Sequence, residues 1–257
     1  MSQQQIDEFV AKLAKQNKPY TLALQELNKI EELDFIDFDL YMLELLGLSV
    51  NLNAQNELTL KSKSTALKDQ IFCVVDIESN GSFKRGGQII EIGAVKIQNY
   101  KEIAHFNTLI KASNVPLNIQ ELTGISSSML QNAPSLASVL NEFRLFLKDS
   151  IFVAHNVRFD YGFISSSLQE CGFGVLLNQR LCTIDLARRL IQSERYGLDS
   201  LKEILHITSV HHRALSDAKA AAEILKHCLK KLPFYIKTTQ ELLDFSKNTK
   251  TLKATKA

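Results

Sequence analysis

Residues 71–78 read "IFCVVDIE", five apolar side chains in a row followed by two acids, Asp76 and Glu78, with Ile77 between them. A run of that length and β-branched content suits a strand covered on both faces, because a half-exposed strand would alternate with polar residues instead. A chain containing it needs layers on either side of a sheet. With 257 residues and 45% hydrophobic content, it has apolar material for one good-sized domain and a smaller one. The same strand also sets a problem. Side chains in a strand repeat with period two, so Asp76 and Glu78 share a face and repel each other.

From residue 70 onward strands and helices alternate. "IFCVVDI", "QIIEIGAVKIQ" and "AHFNTLIKA" predict three successive strands, the first connection holding Gly81, Gly86 and Gly87. Helical stretches follow around "PSLASVLNEFRLFLKD" and "FDYGFISSSLQECG", with the short strand "IFVAH" between them. "CTIDLARRLIQ", "GLDSLKEILHI" and a long helix beginning near Arg213 complete the pattern. An antiparallel meander followed by βα units predicts a mixed α/β sheet covered by helices on both faces.

Ahead of this region, "KSKSTALKD" at 61–69 reads as a polar linker. Residues 1–65 predict a separate small module. Phe9, Val10 and Leu13, then Ala23, Leu27 and Ile30, recur at helical spacing, and "DFDLYMLELLG" offers Asp37 or Asp39 as a cap and Gly47 as a stop. "LSVNLN" and "ELTLK" around "AQN" predict a hairpin, giving a winged-helix-like unit. Such units often bind DNA. Here Glu26, Glu31, Glu32, Asp34, Asp37, Asp39 and Glu44 face the single Lys29, which opposes phosphate contact and favours protein interaction or structural support.

Residues 233–257 predict a helical turn and a basic tail carrying Lys247, Lys250, Lys253 and Lys256. Within it, "QELLDF" at 240–245 loosely resembles short peptides that dock on sliding clamps, and reads equally as one amphipathic turn. Net charge is only +2, so any basic surface must be local. Four cysteines without a CxxC pair, and a start without basic and apolar leader regions, lead to the expectation of a reducing cytoplasm. No apolar run approaches the roughly 18 to 20 residues of a membrane span.

Two further acids stand where a strand hands over to a helix. Asp160 follows "IFVA" and the turn-forming His155 and Asn156, and Asp217 lies near the start of the helix with the stripe Ala218, Ala221, Leu225 and Leu229. Each alone reads as a first-turn acid favoured by a helix dipole. Taken with Asp76 and Glu78 they form four carboxylates from three separate elements, all in apolar settings. Such a set calls for cations, and two Mg²⁺ or Mn²⁺ ions supply the hard charge that oxygen ligands prefer.

The ordered phrases "DIE", "HNVRFD" and "HRALSD" resemble the three motifs of the DEDD-type, DnaQ-like 3'–5' exonucleases, in the subgroup with a histidine in motif three. The likeness covers roughly residues 70 to 232 and is strongest to the proofreading exonuclease subunits of bacterial DNA polymerase III. "QIIEIGAVKI", "TGIS" and "GLDSLKEIL" fall in the family's order, whereas Thr123 stands where those subunits usually have His before Gly-Ile. The resemblance implies a ribonuclease-H-like sheet and a two-metal hydrolase. Asp76, Glu78, Asp160 and Asp217 would be the metal ligands and His212 the general base, with the adjacent His211 as rival. An imidazole, with an ordinary pKa of about 6.5, is mostly neutral at cellular pH and able to accept a proton.

Ser79, Asn80 and Gly81 are substrate-binding candidates after motif one. His155 and Asn156 are candidates too, and read equally as a turn held by side-chain hydrogen bonds. Phe159 and Phe163 are either base-stacking or core residues, and Lys84, Arg85, Arg158 and Arg213 are candidate backbone contacts. Glu91, one strand away, is a more remote acid. The implied partner is a single-stranded DNA 3' end, with a replicative polymerase as a possible companion. RNA trimming, and a non-catalytic binding module, remain alternatives.

Overall fold

The strand β4 (Phe72–Ser79) divides its side chains between two cores, and that division organises the molecule. Phe72 and Val74 enter one, while Cys73, Val75 and Ile77 enter the other, as period-two geometry requires. The computed structural model describes residues 2–34, 36–208 and 212–252. In it β4 is the centre of a five-stranded sheet with order β6-β5-β4-β7-β8. The strands β5 (Ile89–Gln98) and β6 (Lys101–Leu109) run antiparallel to their neighbours, and β7 (Ile151–Ala154) and β8 (Arg180–Cys182) continue parallel to β4. Asn99 and Tyr100, both at positive φ, form the two-residue turn between β5 and β6, whose twist suits a tight hairpin.

One face is covered by α6 (Leu136–Leu147) and α7 (Val157–Glu170), which follow the short α4 (Leu117–Thr123) and α5 (Ser127–Leu130). The other carries α8 (Thr183–Leu190), α9 (Leu198–Leu205), α10 (Ala214–Lys230) and α11 (Thr239–Asn248). The result is the expected mixed sheet with helices on both sides, in ribonuclease-H-like order. Two elements differ from the sequence expectation. The strand β8 spans three residues, too few to show a period. The helix α11 runs for ten residues rather than one turn, started by a reciprocal capping box between Thr238 and Glu241. Its Leu242, Leu243 and Phe245 lie in the core, so "QELLDF" presents none of its large apolar groups to a sliding clamp.

The N-terminal helices α1 (Ser2–Lys15), α2 (Tyr20–Leu27) and α3 (Leu40–Leu45) pack with a three-stranded sheet of order β1-β3-β2, where β1 is Lys18–Pro19, β2 is Val50–Leu52 and β3 is Glu57–Leu60. Asp39, of the two candidate caps, accepts from the Met42 N–H. This unit shares a core with Val175 and Leu177, and Ser49 and Lys61 both reach Asp149. The 61–69 stretch is no loose linker. Thr65 and Ala66 pair with the chain around Thr238, because Thr239 N–H donates to Thr65 O and Leu67 N–H to Lys237 O.

Candidate active site

Asp76 and Glu78 stand at the C-terminal end of β4, on the face that carries α10. Their cross-strand partners are Gly93 and Glu91. Gly93 explains how α10 comes close. A Cβ there would lie 2.0 Å from Leu215 N and 2.1 Å from Ala214 C, so the first turn of α10 sits where any other side chain would be. That turn carries Asp217, whose Oδ2 accepts the backbone N–H of His212 at 3.0 Å. His212 adopts the left-handed conformation, φ 54°. The carboxylates of Glu78 and Asp217 and the His212 imidazole each offer a ligand atom within 4.8 Å of the others. His211, the rival base, lies outside the described residues.

Asp160 arrives from the opposite face, on the first turn of α7, entered through Asn156 in the left-handed conformation that asparagine tolerates. Its buried carboxylate faces the backbone N–H of Ile77, between the two acids of motif one, and that N–H and its own favour the charged form. Burial, then the charge of Glu78, hold Asp160 up to about 7 against those two hydrogen bonds. Glu78 is also raised to about 7, by burial and by the charges of Glu91 and Asp217, with Arg213 opposing. Asp76 is raised well above the ordinary range by burial and by Asp160, Glu78, Asp217 and Glu91 in turn. The structure therefore brings all four acids into one electrostatic unit. Added cations would offset their mutual repulsion.

Glu91 is the feature that sequence reading undervalued. It is 1% exposed, yet it is not a spare ligand. Its Oε1 accepts from Arg213 Nη2 at 2.7 Å, and its Oε2 accepts from the Ala214 N–H at 2.9 Å, with Arg213 Nε bridging both oxygens at 3.2 and 3.3 Å. This clamp ties the start of α10 to β5 and occupies Arg213, which was a candidate phosphate contact. The available signals were a glycine in mid-strand, which marks a close backbone approach, and an acid two residues before it.

The substrate candidates divide. His155 is held on both ring nitrogens: Nε2–H donates to Tyr196 O at 3.0 Å and Nδ1 accepts from the Thr183 hydroxyl at 2.8 Å. Burial pushes it down to about 4, so it stays neutral, with both ring nitrogens engaged within the fold. Asn80 closes the loop after β4, accepting from Gln88 N–H and donating to Asn114 O. Ser79 follows a bulge between Glu78 and Ser79 that re-aims the chain leaving the site. In that loop it is Gly87 that must be glycine, since a Cβ would meet Gly81 O at 2.3 Å, whereas one on Gly81 finds ordinary contact. Phe163 is buried edge-on against Phe83, while Phe159 is 48% exposed beside Asp160. Thr123 is a buried helix end, donating to Ile119 O and accepting from Ile125 N–H.

Comparison with known proteins identifies the family. The family model described as Exonuclease (RNase_T) matches residues 73–225. A DNA polymerase III PolC-type protein of Caldanaerobacter subterraneus is 42% identical over 174 residues, covering 66% of this chain and 12% of the relative. The corresponding protein of Thermotoga maritima is 39% identical over 165 residues, again 12% of its length. A putative bifunctional exonuclease/endonuclease of Mycobacterium tuberculosis is 34% identical over 184 residues, 67% of this chain and 28% of that protein. The match thus spans only a small part of these larger relatives. Among solved structures, Exonuclease X in complex with 5' overhanging duplex DNA superposes with a TM-score of 0.55 at 21% identity, covering 68% of this chain and 99% of that one. Escherichia coli Exonuclease I with a dT13 oligonucleotide gives 0.56 at 16% identity over 63% of this chain and 42% of its own, which supports the fold. Because the family model spans more than half of the sequence and all three motifs, the chain belongs to the DEDD-type exonuclease family.

Proposed function

We propose that this chain is a divalent-metal-dependent 3'–5' exonuclease that removes nucleoside monophosphates from single-stranded DNA 3' ends, as a proofreading activity beside a replicative polymerase. The observation that carries the reading is the convergence of Asp76, Glu78, Asp160 and Asp217 from three elements, with their carboxyls raised by one another and by burial. Arg213 is engaged by Glu91, so this anionic cluster fits an added hard cation. The four acids are the residues that would hold two Mg²⁺ or Mn²⁺ ions. When bound, the ions supply Lewis acidity at the scissile phosphate, an acidified water, and charge to stabilise the departing 3' oxygen.

His212 has the position for the proton transfer, in ligand reach of Glu78 and Asp217. Asp217 holds it through the backbone N–H and thereby fixes the loop entering α10. Ser79, Gly81 and Asn156 lie on the chain segments leaving β4 and entering α7, where a strand end must approach the acids; Phe159 is the exposed ring of that rim. We assign the chemistry to residues 70–232, and to residues 1–65 the role of a brace or protein-docking module. Its acidic face opposes contact with DNA. The polymerase partner is suggested by the PolC-type relatives. All four cysteines are free thiols, and no described helix is long and apolar enough to cross a membrane; a cytoplasmic setting belongs to this proposal.

The test is incubation with Mg²⁺ or Mn²⁺ and 5'-labelled single-stranded DNA, with RNA of matched sequence in parallel. Stepwise shortening from the 3' end is expected, abolished by chelation and by Asp76→Ala. Equal degradation by wild type and Asp76→Ala would show that the nuclease activity lies elsewhere. Faster shortening of the RNA would move the substrate to exoribonuclease work, since the acids and His212 do not distinguish a 2'-hydroxyl.

A further inference from the structure

Between α10 and α11 the chain holds two aromatic rings out into solvent. Phe234 is 85% exposed, more than any other large apolar residue described, and Tyr235 is 58% exposed. The rings meet edge to face at 5.9 Å. They do not sit on a loose loop. Ile236 N–H donates to Pro233 O and the Ile236 side chain is buried. Lys237 O accepts from Leu67 N–H, and the Glu241 carboxylate accepts from the N–H groups of Lys237 and Thr238. The turn is fixed from both sides, so exposure of the rings is a property of the fold. This segment also lies beyond residues 73–225, outside the family match.

The charge on the segment carrying the rings is mainly positive, and the one acid on the turn, Glu241, is engaged by the N–H groups of Lys237 and Thr238. Lys230, Lys231 and Lys237 are exposed, and no acid occurs from Ile224 through Gln240. His227 registers that field: burial, then Lys231 and Lys230, hold its imidazole below the ordinary value. Exposed aromatic rings amid cations match the way single-stranded nucleic acid is held, bases on ring faces and phosphates on lysines. A protein interface is a poorer fit, because lysine is depleted from such interfaces.

We infer that Phe234, Tyr235, Lys230, Lys231 and Lys237 form a second contact for single-stranded nucleic acid, at the far end of α10 from the acids. Asp217 and Lys230 stand on the same helix, about 20 Å apart at 1.5 Å per residue. At about 3.4 Å per stacked nucleotide, a strand whose 3' end lies at the acids reaches the patch only when it is six or so nucleotides long. It would hold the body of a strand whose 3' end lies at the acids, and in that respect it rests on the nuclease reading.

The experiment is binding of fluorescein-labelled oligo(dT) and oligo(U) of ~24 and ~4 nucleotides to the full chain in EDTA, so that nothing is degraded. Phe234→Ala/Tyr235→Ala should bind the longer strand about tenfold more weakly and leave the shorter one unchanged. Lys230→Gln/Lys231→Gln/Lys237→Gln should lower the slope of log affinity against log salt by about 2 for the longer strand. Phe234→Trp, which keeps a ring, should bind as wild type and show indole quenching. Equal affinity of the aromatic double variant and wild type for the longer strand overturns the inference and leaves the surface to a protein partner. Equal weakening at both lengths, reporting general damage, also overturns it. A wild type that binds neither length in EDTA overturns this surface, and the nuclease reading falls separately, only if the strand is not shortened in Mg²⁺ or Mn²⁺ either.

Discussion

Stripped of divalent ions, this protein should lose stability as the solution moves from mildly acid to neutral. Glu78 and Asp160 have folded-state values of about 7, against ordinary carboxyl values of about 4. Below pH 4 both states are protonated and nothing is lost. Between about 4 and 7 the unfolded chain releases protons that the folded chain retains, so stability falls by about 1.4 kcal/mol per pH unit for each group. From pH 5 to 7 the two groups together cost the fold a few kcal/mol, and Asp76 acts in the same direction. His155 opposes it. Its value is depressed to about 4, so the unfolded chain takes up a proton below about 6.5 that the folded chain refuses, and stability rises by about 2 kcal/mol from pH 5 to 6.5. The net expectation is a fall between pH 5 and 7, because three raised carboxyls outweigh one depressed imidazole.

Urea denaturation followed by circular dichroism in EDTA at pH 5, 6 and 7 reads this directly. Mn²⁺ at about a hundred times its dissociation constant should return about 2.7 kcal/mol, with the largest gain per added ion near neutrality, where the ligands are deprotonated. In Glu78→Gln/Asp160→Asn the fall should shrink to what Asp76 retains through burial, partly offset by the rise from His155. If wild type and this double variant trace the same curve in EDTA, the four acids are not the electrostatic unit described above.

Gly93→Ala should cost about 3 kcal/mol or displace the start of α10, because its Cβ meets backbone rather than a yielding side chain; the urea midpoint and nuclease rate would fall together, and an unchanged midpoint would refute the close approach. Arg213→Ala leaves Glu91 charged, buried and beside Glu78. A loss of about 2 kcal/mol and a lower kcat are expected, both partly recovered by adding Glu91→Gln, and a non-additive double-mutant cycle is the readout. Tyr161→Phe removes a buried hydroxyl that donates to Leu176 O at 2.7 Å, and should cost about 1.5 kcal/mol without changing kcat.

The sequence by itself determined much of this protein. Its apolar run and alternating segments specified a sheet covered on both faces, and the spacing of Asp76 and Glu78 specified two acids on one side of a strand. Both follow from local periodicity, which is a property of consecutive residues. The order of the three motifs went further and named the acids that converge. What local pattern does not hold is the path of the chain between elements. Glu91 read as a remote acid because its partners, Arg213 and the Ala214 N–H, lie more than a hundred residues away, and only packing of α10 over Gly93 turns it into a clamp. The partners of His155, Thr183 and the Tyr196 carbonyl, likewise lie far along the chain. "QELLDF" had the composition of a docking peptide, but burial of Leu242, Leu243 and Phe245 under the sheet decided otherwise. The exposure of Phe234 is a tertiary fact of the same kind. An apolar residue's sequence predicts a preference for the core, and only the pinned turn around Pro233 and Ile236 shows that this ring faces water.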